Sequence, residues 1–117
     1  MSVDQALQTA LTPLGVPTSP NLYTGEATEY IVTNYTTIPE VFAERAPHAA
    51  RYLVQVHYLL PQGDNPNSKL QQISRALWEA GFTWPGITNA SDSDGQHYVL
   101  ECEYVNGGGY YAAAGDP

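Results

Sequence analysis

An acidic cluster near the C-terminus is the first part of this 117-residue sequence that could do chemistry. Asp92-Ser93-Asp94-Gly95 resembles part of a calcium-binding loop, and Glu101 follows the glycine by six residues, as the bidentate ligand of an EF-hand does. The first ligand position would be Ala90, however, and a strand pattern from Gln96 leaves no exiting helix. Asp and Gly are also common in tight turns. We therefore interpret this segment as an acidic hairpin turn.

Glu101 and Glu103 form a second candidate group. Alternate residues of a strand project to the same side, about 7 Å apart, a separation that the paired carboxylates of a glycosidase can show. A single two-layer domain of this size implies no sugar-stacking cleft, because ligand sites are concave and enclosed. We interpret the pair as part of a polar strand face.

The histidines and the cysteine form the third group. His48, His57 and His97 are separated by nine and forty residues, without the short spacing of a zinc site, although His57 and His97 are expected on one outward sheet face. Cys102, the only cysteine, lies on the apolar side of its strand, where a thiol is a poor nucleophile. The sequence therefore predicts no catalytic residue, no metal site and no cofactor.

Hydrophobic periodicity predicts two helices that hold these groups in place. In the first, apolar residues recur at helical spacing, Ser2 and Gln5 have capping-box spacing, and Pro13 should end the helix near Leu11 or Thr12. The second should begin with a capping box of Ser68 and Gln71 and end at Gly81. Its buried stripe is Leu70, Ile73 and Leu77, with Trp78 beside it.

Alternating apolar and polar residues predict four strands. They cover residues 30–36, 50–60, part of 82–91 around Pro85, and 96–105. The inward residues of the second and fourth strands are Tyr52, Val54, Val56, Tyr58, Leu60, Tyr98, Leu100, Cys102 and Tyr104. Residues 16–28 are predicted to be a surface connection and residues 37–49 a loop, because both contain prolines and polar residues.

The predicted fold class is α+β, in a single two-layer domain of the order α-β-β-α-β-β. A mixed or antiparallel sheet of about four strands would pack on one face against two helices. Hydrophobic residues make up 43% of the chain and charged residues 14%, a composition that favours a folded domain. We expect this domain to span residues 1–105, followed by a flexible Gly/Tyr/Ala-rich tail at 106–117.

The charge balance excludes some partners. Twelve acidic and four basic side chains give a net charge of −8, and the four cations, Arg45, Arg51, Lys69 and Arg75, are dispersed. Tight nucleic-acid binding needs clustered cations, so we do not expect it. The sequence shows no secretory signal and no apolar run long enough to span a membrane. A single cysteine is consistent with assembly in the cytosol.

With these elements in place, residues 1–105 resemble the tail terminator (tail completion) proteins of long-tailed phages and related phage-like particles. The resemblance rests on the element order, on an Ala-rich helix at 70–81, and on three strand segments. These are Tyr30-Ile31-Val32-Thr33-Asn34-Tyr35, Tyr52-Leu53-Val54-Gln55-Val56 and Tyr98-Val99-Leu100-Glu101-Cys102-Glu103-Tyr104. The 37–49 loop and the C-terminal tail depart from the family pattern.

The resemblance implies a structural virion protein of the tail or neck, assembled in the host cytoplasm. It would form a homohexameric ring that caps the tail tube, stops tube polymerisation and joins the tail to the head connector or stopper. DNA would pass through the lumen without specific binding, and the protein would have no cofactor and no turnover. Alternatives are another neck protein such as a stopper or, from a different class, a small-molecule-binding or hydrolytic α+β domain.

Two sets of residues are predicted to make the contacts of such a ring. Apolar side chains in a charged loop suggest a ring or tube interface at Glu40, Val41, Phe42, Glu44 and Arg45. Strand periodicity suggests a polar sheet face turned toward the lumen or an adjoining subunit at Gln55, His57, Glu101 and Glu103.

Overall fold

The structure is a computed structural model that describes residues 2–42 and 47–104, with the side chains of residues 2–38 and 51–104. Its elements are α1 (Val3–Leu11), a 3₁₀ turn (Thr12–Leu14), β1 (Thr18–Pro20), β2 (Tyr30–Phe42), β3 (Pro47–Leu60), α2 (Asn67–Glu79), β4 (Gly86–Asn89) and β5 (Gln96–Tyr104). The fold is α+β, as predicted. The sheet is mixed and has five strands rather than about four, in the order β1-β2-β3-β5-β4.

Helix α1 begins and ends where the sequence predicts. Ser2 Oγ accepts from the Gln5 N–H at 3.1 Å, and Gln5 Oε1 accepts from the Ser2 N–H at 3.0 Å, so the capping box is complete. The helix ends at Leu11, and Pro13 lies in the 3₁₀ turn that follows. Gly15 then takes φ of 78°, a left-handed conformation that glycine adopts without strain.

The predicted capping box of helix α2 is wrong, whereas its predicted C-terminus is confirmed. The helix starts at Asn67, whose N–H donates to Asn65 Oδ1 at 2.9 Å, so Ser68 already lies inside the first turn. At the other end Gly81 has φ of 101°, and the Phe82 N–H donates to Leu77 O at 3.0 Å. This is a Schellman termination, in which glycine supplies the left-handed residue.

Strand β1 corrects the prediction that residues 16–28 are only a surface connection. Thr18–Pro20 pairs in parallel with β2, and the flanking bonds run from the Ile31 N–H to Pro17 O and from the Asn21 N–H to Thr33 O, both at 2.7 Å. Proline is tolerated there because an edge strand has one side without sheet partners. The composition of residues 16–28 therefore did not reveal that three of them form a strand.

The predicted loop at 37–49 is also wrong where the structure describes it. Strands β2 and β3 stay paired as far as Phe42 and Pro47, and the register shifts between Pro39 and Val41 and again before Phe42. These irregularities accommodate residues that do not fit a regular ladder, proline among them. We call the paired segments 37–42 and 47–52 the β2–β3 arm.

One face of the sheet forms the core together with the helices. The predicted inward side of β3 and β5 is confirmed: Val54, Val56, Tyr58, Leu60, Leu100, Cys102 and Tyr104 are buried, while Tyr52 and Tyr98 are partly buried. Helix residues Leu7, Leu11, Ile73 and Leu77 belong to the same cluster. The alternate residues of these strands must therefore face away from the helices.

A buried tyrosine attaches the connection before β2 to this core. The Tyr58 hydroxyl donates to Glu29 Oε2, although Tyr58 is only 1% exposed. Burial, the hydrogen bond to Glu29 and the negative charges of Glu29 and Asp64 raise the pKa of Tyr58 above its ordinary range. The hydroxyl is therefore neutral at physiological pH and acts as a donor.

Replacing Tyr58 by phenylalanine is expected to lower the free energy of unfolding by about 2 kcal/mol, because it removes a hydrogen bond to a charged group and leaves Glu29 without it. Urea unfolding measures the change. Tyr98→Phe is the matched control, since its hydroxyl bonds to neutral Gln96 Oε1 at 2.7 Å and is expected to contribute only about 1 kcal/mol. Equal losses in the two variants would contradict a special role for Glu29.

Candidate functional site: the polar sheet face

The predicted polar residues of β3 and β5 lie together on the sheet face opposite the helices. Gln55 is directly across from Glu101. His57 is directly across from Val99, so its diagonal neighbours in β5 on the same face are His97 and Glu101. Leu53 is across from Glu103 on the same face. We call this surface the polar face and define it by Gln55, His57, His97, Glu101 and Glu103.

A chain of hydrogen bonds joins four of these side chains. Gln55 Nε2 donates to Glu101 Oε2 at 3.0 Å, so Gln55 Oε1 is left to accept from His57 Nε2–H at 3.2 Å. His57 Nδ1 then lies 2.8 Å from His97 Nε2 and accepts its proton. The order of donors along the chain fixes the tautomer of both histidines.

His57 is uncharged in this arrangement at neutral pH. Burial lowers its pKa below 6.5, the positive charge of His97 lowers it further, and the nearby Glu101 carboxylate opposes them. Two charged imidazoles could not keep this contact, because both facing nitrogens would carry protons.

The two carboxylates of the polar face have different partners. Glu101 accepts from Gln55, whereas Glu103 Oε1 lies 3.8 Å from Arg51 Nε in a half-exposed ion pair. Beside them is an open depression of about 520 Å³, bordered also by Asn34 and Thr83. Neither carboxylate is placed in an enclosed cleft, so the glycosidase-like spacing has no matching binding geometry.

The acidic segment at 92–95 is a hairpin turn, as interpreted from the sequence. Asp92 and Gly95 exchange two backbone hydrogen bonds of 3.1 and 3.3 Å, and Asp92 Oδ1 accepts from the Asp94 N–H at 2.8 Å. The Asp92 side chain therefore stabilises the turn itself. Among residues 2–42 and 47–104, no group of three or more His, Cys, Asp or Glu side chains could hold a metal ion.

Cys102 lies beneath the sheet rather than on the polar face. Its side chain is buried among the core residues, and burial, together with the charge of Glu103, raises the pKa of the thiol to about 12. The thiolate is the reactive form of cysteine, so this residue is not a native-state nucleophile.

The predicted interface at 40–45 is not brought to the polar face. Glu40, Val41 and Phe42 lie in β2, near the end of the arm, and Val41 is opposite Ala49. Glu44 and Arg45 lie outside the described residues. The participation of this set in an interface stays a prediction.

An exposed aromatic patch was missed by the sequence analysis. Trp78 is 57% exposed and Trp84 52% exposed, and their rings meet edge to face with centroids 6.5 Å apart. Ile87, on edge strand β4, is exposed as well. The available signal was Trp78, which flanks the buried stripe of α2 and does not belong to it. We call Trp78 and Trp84 the tryptophan patch.

No helix among the described residues has the length and apolarity that a membrane crossing requires. No protein family profile matches the sequence, and no curated protein matches it. A solved structure whose name states no activity is similar over 88% of this chain and 94% of its own, with 14% sequence identity and a TM-score of 0.58. At that identity the similarity shows a shared fold and carries no function.

Proposed function

We propose that this protein is a structural virion component of the tail terminator kind. It forms a ring, a hexamer in the resembling family, that caps the tail tube, stops its polymerisation and joins the tail to the head connector. The observation that carries the proposal is the two-sided sheet, which has both helices on one face and, on the other, the polar side chains of β3 and β5 among a few apolar ones such as Leu53 and Val99. Such a subunit can line a passage while its helices face outward.

The β2–β3 arm supports the proposal because, within the part of the chain that the structure describes, it extends beyond its neighbours. Tyr104, opposite Tyr52, is the last described residue of β5, whereas β2 and β3 remain paired to Phe42 and Pro47. A two-stranded ribbon alone is marginally stable in water. Contact with a neighbouring subunit or the tube would stabilise it, and we assign that contact to Glu40, Val41, Phe42, Glu44 and Arg45.

The tryptophan patch supports a second contact surface. Large exposed apolar side chains are unusual when grouped, and β4 beside them is exposed at all four positions. An edge strand offers unpaired backbone groups to another chain. We assign this margin of the sheet to contacts within the ring.

The charge of the chain fits a passage for DNA that must not retain it. Glu101 and Glu103 lie on the polar face, and the net charge is −8. Carboxylates repel phosphates, so a lumen lined by this face would let DNA pass without specific binding. An acidic lumen would also suit a stopper or another neck protein, which is the nearest alternative.

Assembly of the ring on a tail tube tests the proposed function directly. The full-length protein is mixed with polymerising tail tube protein from the same particle, and electron microscopy records rings and tube lengths. We expect capped tubes of limited length, and the variant Val41→Ser with Phe42→Ser should lose capping while far-UV circular dichroism stays unchanged. Uncapped tubes with the native protein would contradict the proposal.

Glu101→Lys with Glu103→Lys tests the lumen assignment. We expect folding and capping to be retained, because both residues lie on the solvent side of the sheet, and DNA movement through the assembled neck to be slowed by added cations. The rate of DNA release from assembled particles measures the effect.

Glu79→Lys serves as the charge control for the single variant Glu101→Lys, since Glu79 is an exposed residue of α2. Equal release rates in these two single variants would place the polar face outside the passage.

A further inference from the structure

We propose that the tail, residues 106–117, folds back over the tryptophan patch of its own chain, with Tyr110 and Tyr111 packed against Trp78 and Trp84. The tail lies outside the described residues. The inference concerns a single subunit, so it does not depend on ring assembly or on the tail terminator function. It rests on the exposure of the patch, on the place where the described chain ends, and on the composition of the residues that follow.

The tryptophan patch is a fixed apolar surface in contact with water. Both rings are more than half exposed, and they meet edge to face with centroids 6.5 Å apart. Each tryptophan lies close in sequence to a fully buried residue, Leu77 beside the first and Phe82 before the second, so the core holds the backbone of the patch in place. Grouped exposed aromatic side chains of this kind mark a contact surface.

The described chain ends close to this patch. Tyr104, the last described residue, forms an antiparallel bridge with Phe82. Bridged residues have Cα atoms about 4.5–5.5 Å apart, and two further residues add at most about 7 Å, so the Cα of Trp84 lies within about 13 Å of that of Tyr104. Six extended residues span up to about 20 Å, so Tyr110 can reach the patch even when the chain turns on the way.

The composition of the tail suits a return toward the patch. Asn106-Gly107 is a common turn dipeptide, and glycines at 107–109 allow a chain to reverse direction without strain. Tyr110 and Tyr111 follow directly and supply two aromatic rings. Tyrosine packs on another aromatic ring in offset or edge-to-face geometry while its hydroxyl stays in water. The sequence therefore places the two rings of the tail just after the point where it can turn back.

Charge favours the same arrangement. Asp116 is the only charged side chain of the tail. Arg75 precedes Trp78 by three residues, so the two lie on the same side of α2. The ion pair of Arg75 with Glu79 is 4.0 Å long and largely exposed, and such pairs are weak, so the guanidinium can also attract Asp116.

The covalent connection makes a weak contact sufficient. A short flexible linker holds the segments that it joins at an effective concentration on the order of millimolar. Packing of the tyrosines on the tryptophans therefore does not need high affinity to cover the patch in an isolated subunit. A partner that binds the tryptophans must first displace the tail, which acts as a removable cover of an adhesive surface.

Tryptophan fluorescence tests the contact directly, because the patch contains both tryptophans of the chain. Acrylamide quenching, with excitation selective for tryptophan, measures how accessible the rings are. A chain that ends at Val105 should be quenched at least about 2-fold more strongly than the full-length chain, with its emission at longer wavelength. Tyr110→Ala with Tyr111→Ala should give the same increase. Ala112→Ser with Ala113→Ser is the matched control, since it keeps both rings and should behave like the native chain.

Limited proteolysis reads the tail instead of the patch. Chymotrypsin cleaves after exposed tyrosines, and its rate follows the population in which the tail is open. Cleavage within the tail should be at least about 2-fold faster in Trp78→Ala with Trp84→Ala than in the native chain. Ile87→Ala is the control, because it removes an exposed apolar side chain of β4 and leaves the patch intact.

Two results would overturn the proposal. One is equal quenching of the native chain and the Tyr110→Ala, Tyr111→Ala variant, which keeps the full length and decides the question even if the shortened chain fails to fold. The other is protection of the tryptophans that disappears on dilution, because a contact within one chain does not depend on protein concentration. That second result would assign the patch to another copy of the chain. Circular dichroism of each variant separates loss of the contact from loss of the fold.

Discussion

Phe82→Ala is expected to lower the free energy of unfolding by about 3–5 kcal/mol, because it opens a cavity where the end of α2 meets the sheet. Phe82 is 1% exposed, its ring centroid lies 4.7 Å from that of Tyr104, and its N–H donates to Leu77 O. For a domain of this size the loss corresponds to a melting temperature lower by about 12–40 °C. Calorimetry and urea unfolding measure it.

Trp84→Ala is the control for this prediction, since Trp84 is an aromatic residue in the same segment with half of its side chain in water. It should change the free energy of unfolding by less than about 0.5 kcal/mol. Similar losses in the two variants would contradict the placement of Phe82 in the core. An intact Trp84→Ala fold that no longer caps tubes would support the assigned role of the tryptophan patch.

Cys102 is expected to react about 500-fold more slowly with a thiol reagent at pH 9 in the native chain than in the urea-unfolded chain. The pKa of this thiol rises from its ordinary value of 9.0 to about 12 in the folded chain. At pH 9 about half of the unfolded thiols are therefore ionised, but only about one in 1000 of the native ones. Burial of the sulfur slows the reagent further. Stopped-flow labelling with and without urea measures both rates, and equal rates would contradict burial of this thiol.

The same shift predicts how stability depends on pH. Because the folded pKa of Cys102 is raised, its contribution is fully present below pH 9 and is lost as pH rises from 9 toward 12, where the unfolded thiol ionises first. Cys102→Ala removes this dependence, although it also removes a buried sulfur. The difference between the two pH profiles isolates the contribution of the thiol.

The elements with clear periodicity were predictable from sequence, and those at the sheet margins were not. The N-cap at Ser2, the end of helix α2 at Gly81 and the alternation of buried and exposed residues in β3 follow from local chemistry. The extension of β2 past Pro39 and the existence of β1 depend on a neighbouring strand already being present. Tertiary pairing overrides local preference in such segments.

The polar face was predictable as a set, but its internal contacts were not. Period-two alternation places Gln55, His57, Glu101 and Glu103 on one side of the sheet. Which residues touch depends on the register between β3 and β5, and that register joins Gln55 to Glu101 across 46 residues. The contact between His57 and His97 follows from this register, because a shift of one residue would place the two rings on opposite faces.

The position of β3 between β2 and β5 also sets the order of events during synthesis. As the chain leaves the ribosome, β3 can pair at once with β2, but its other edge has no partner until β5, near the end of the described chain, has emerged. The two halves of the polar face are consequently separated in time as well as in sequence. A translation product that ends before β5 therefore carries only the β3 half of this face, and the edge of β3 that β5 covers stays open.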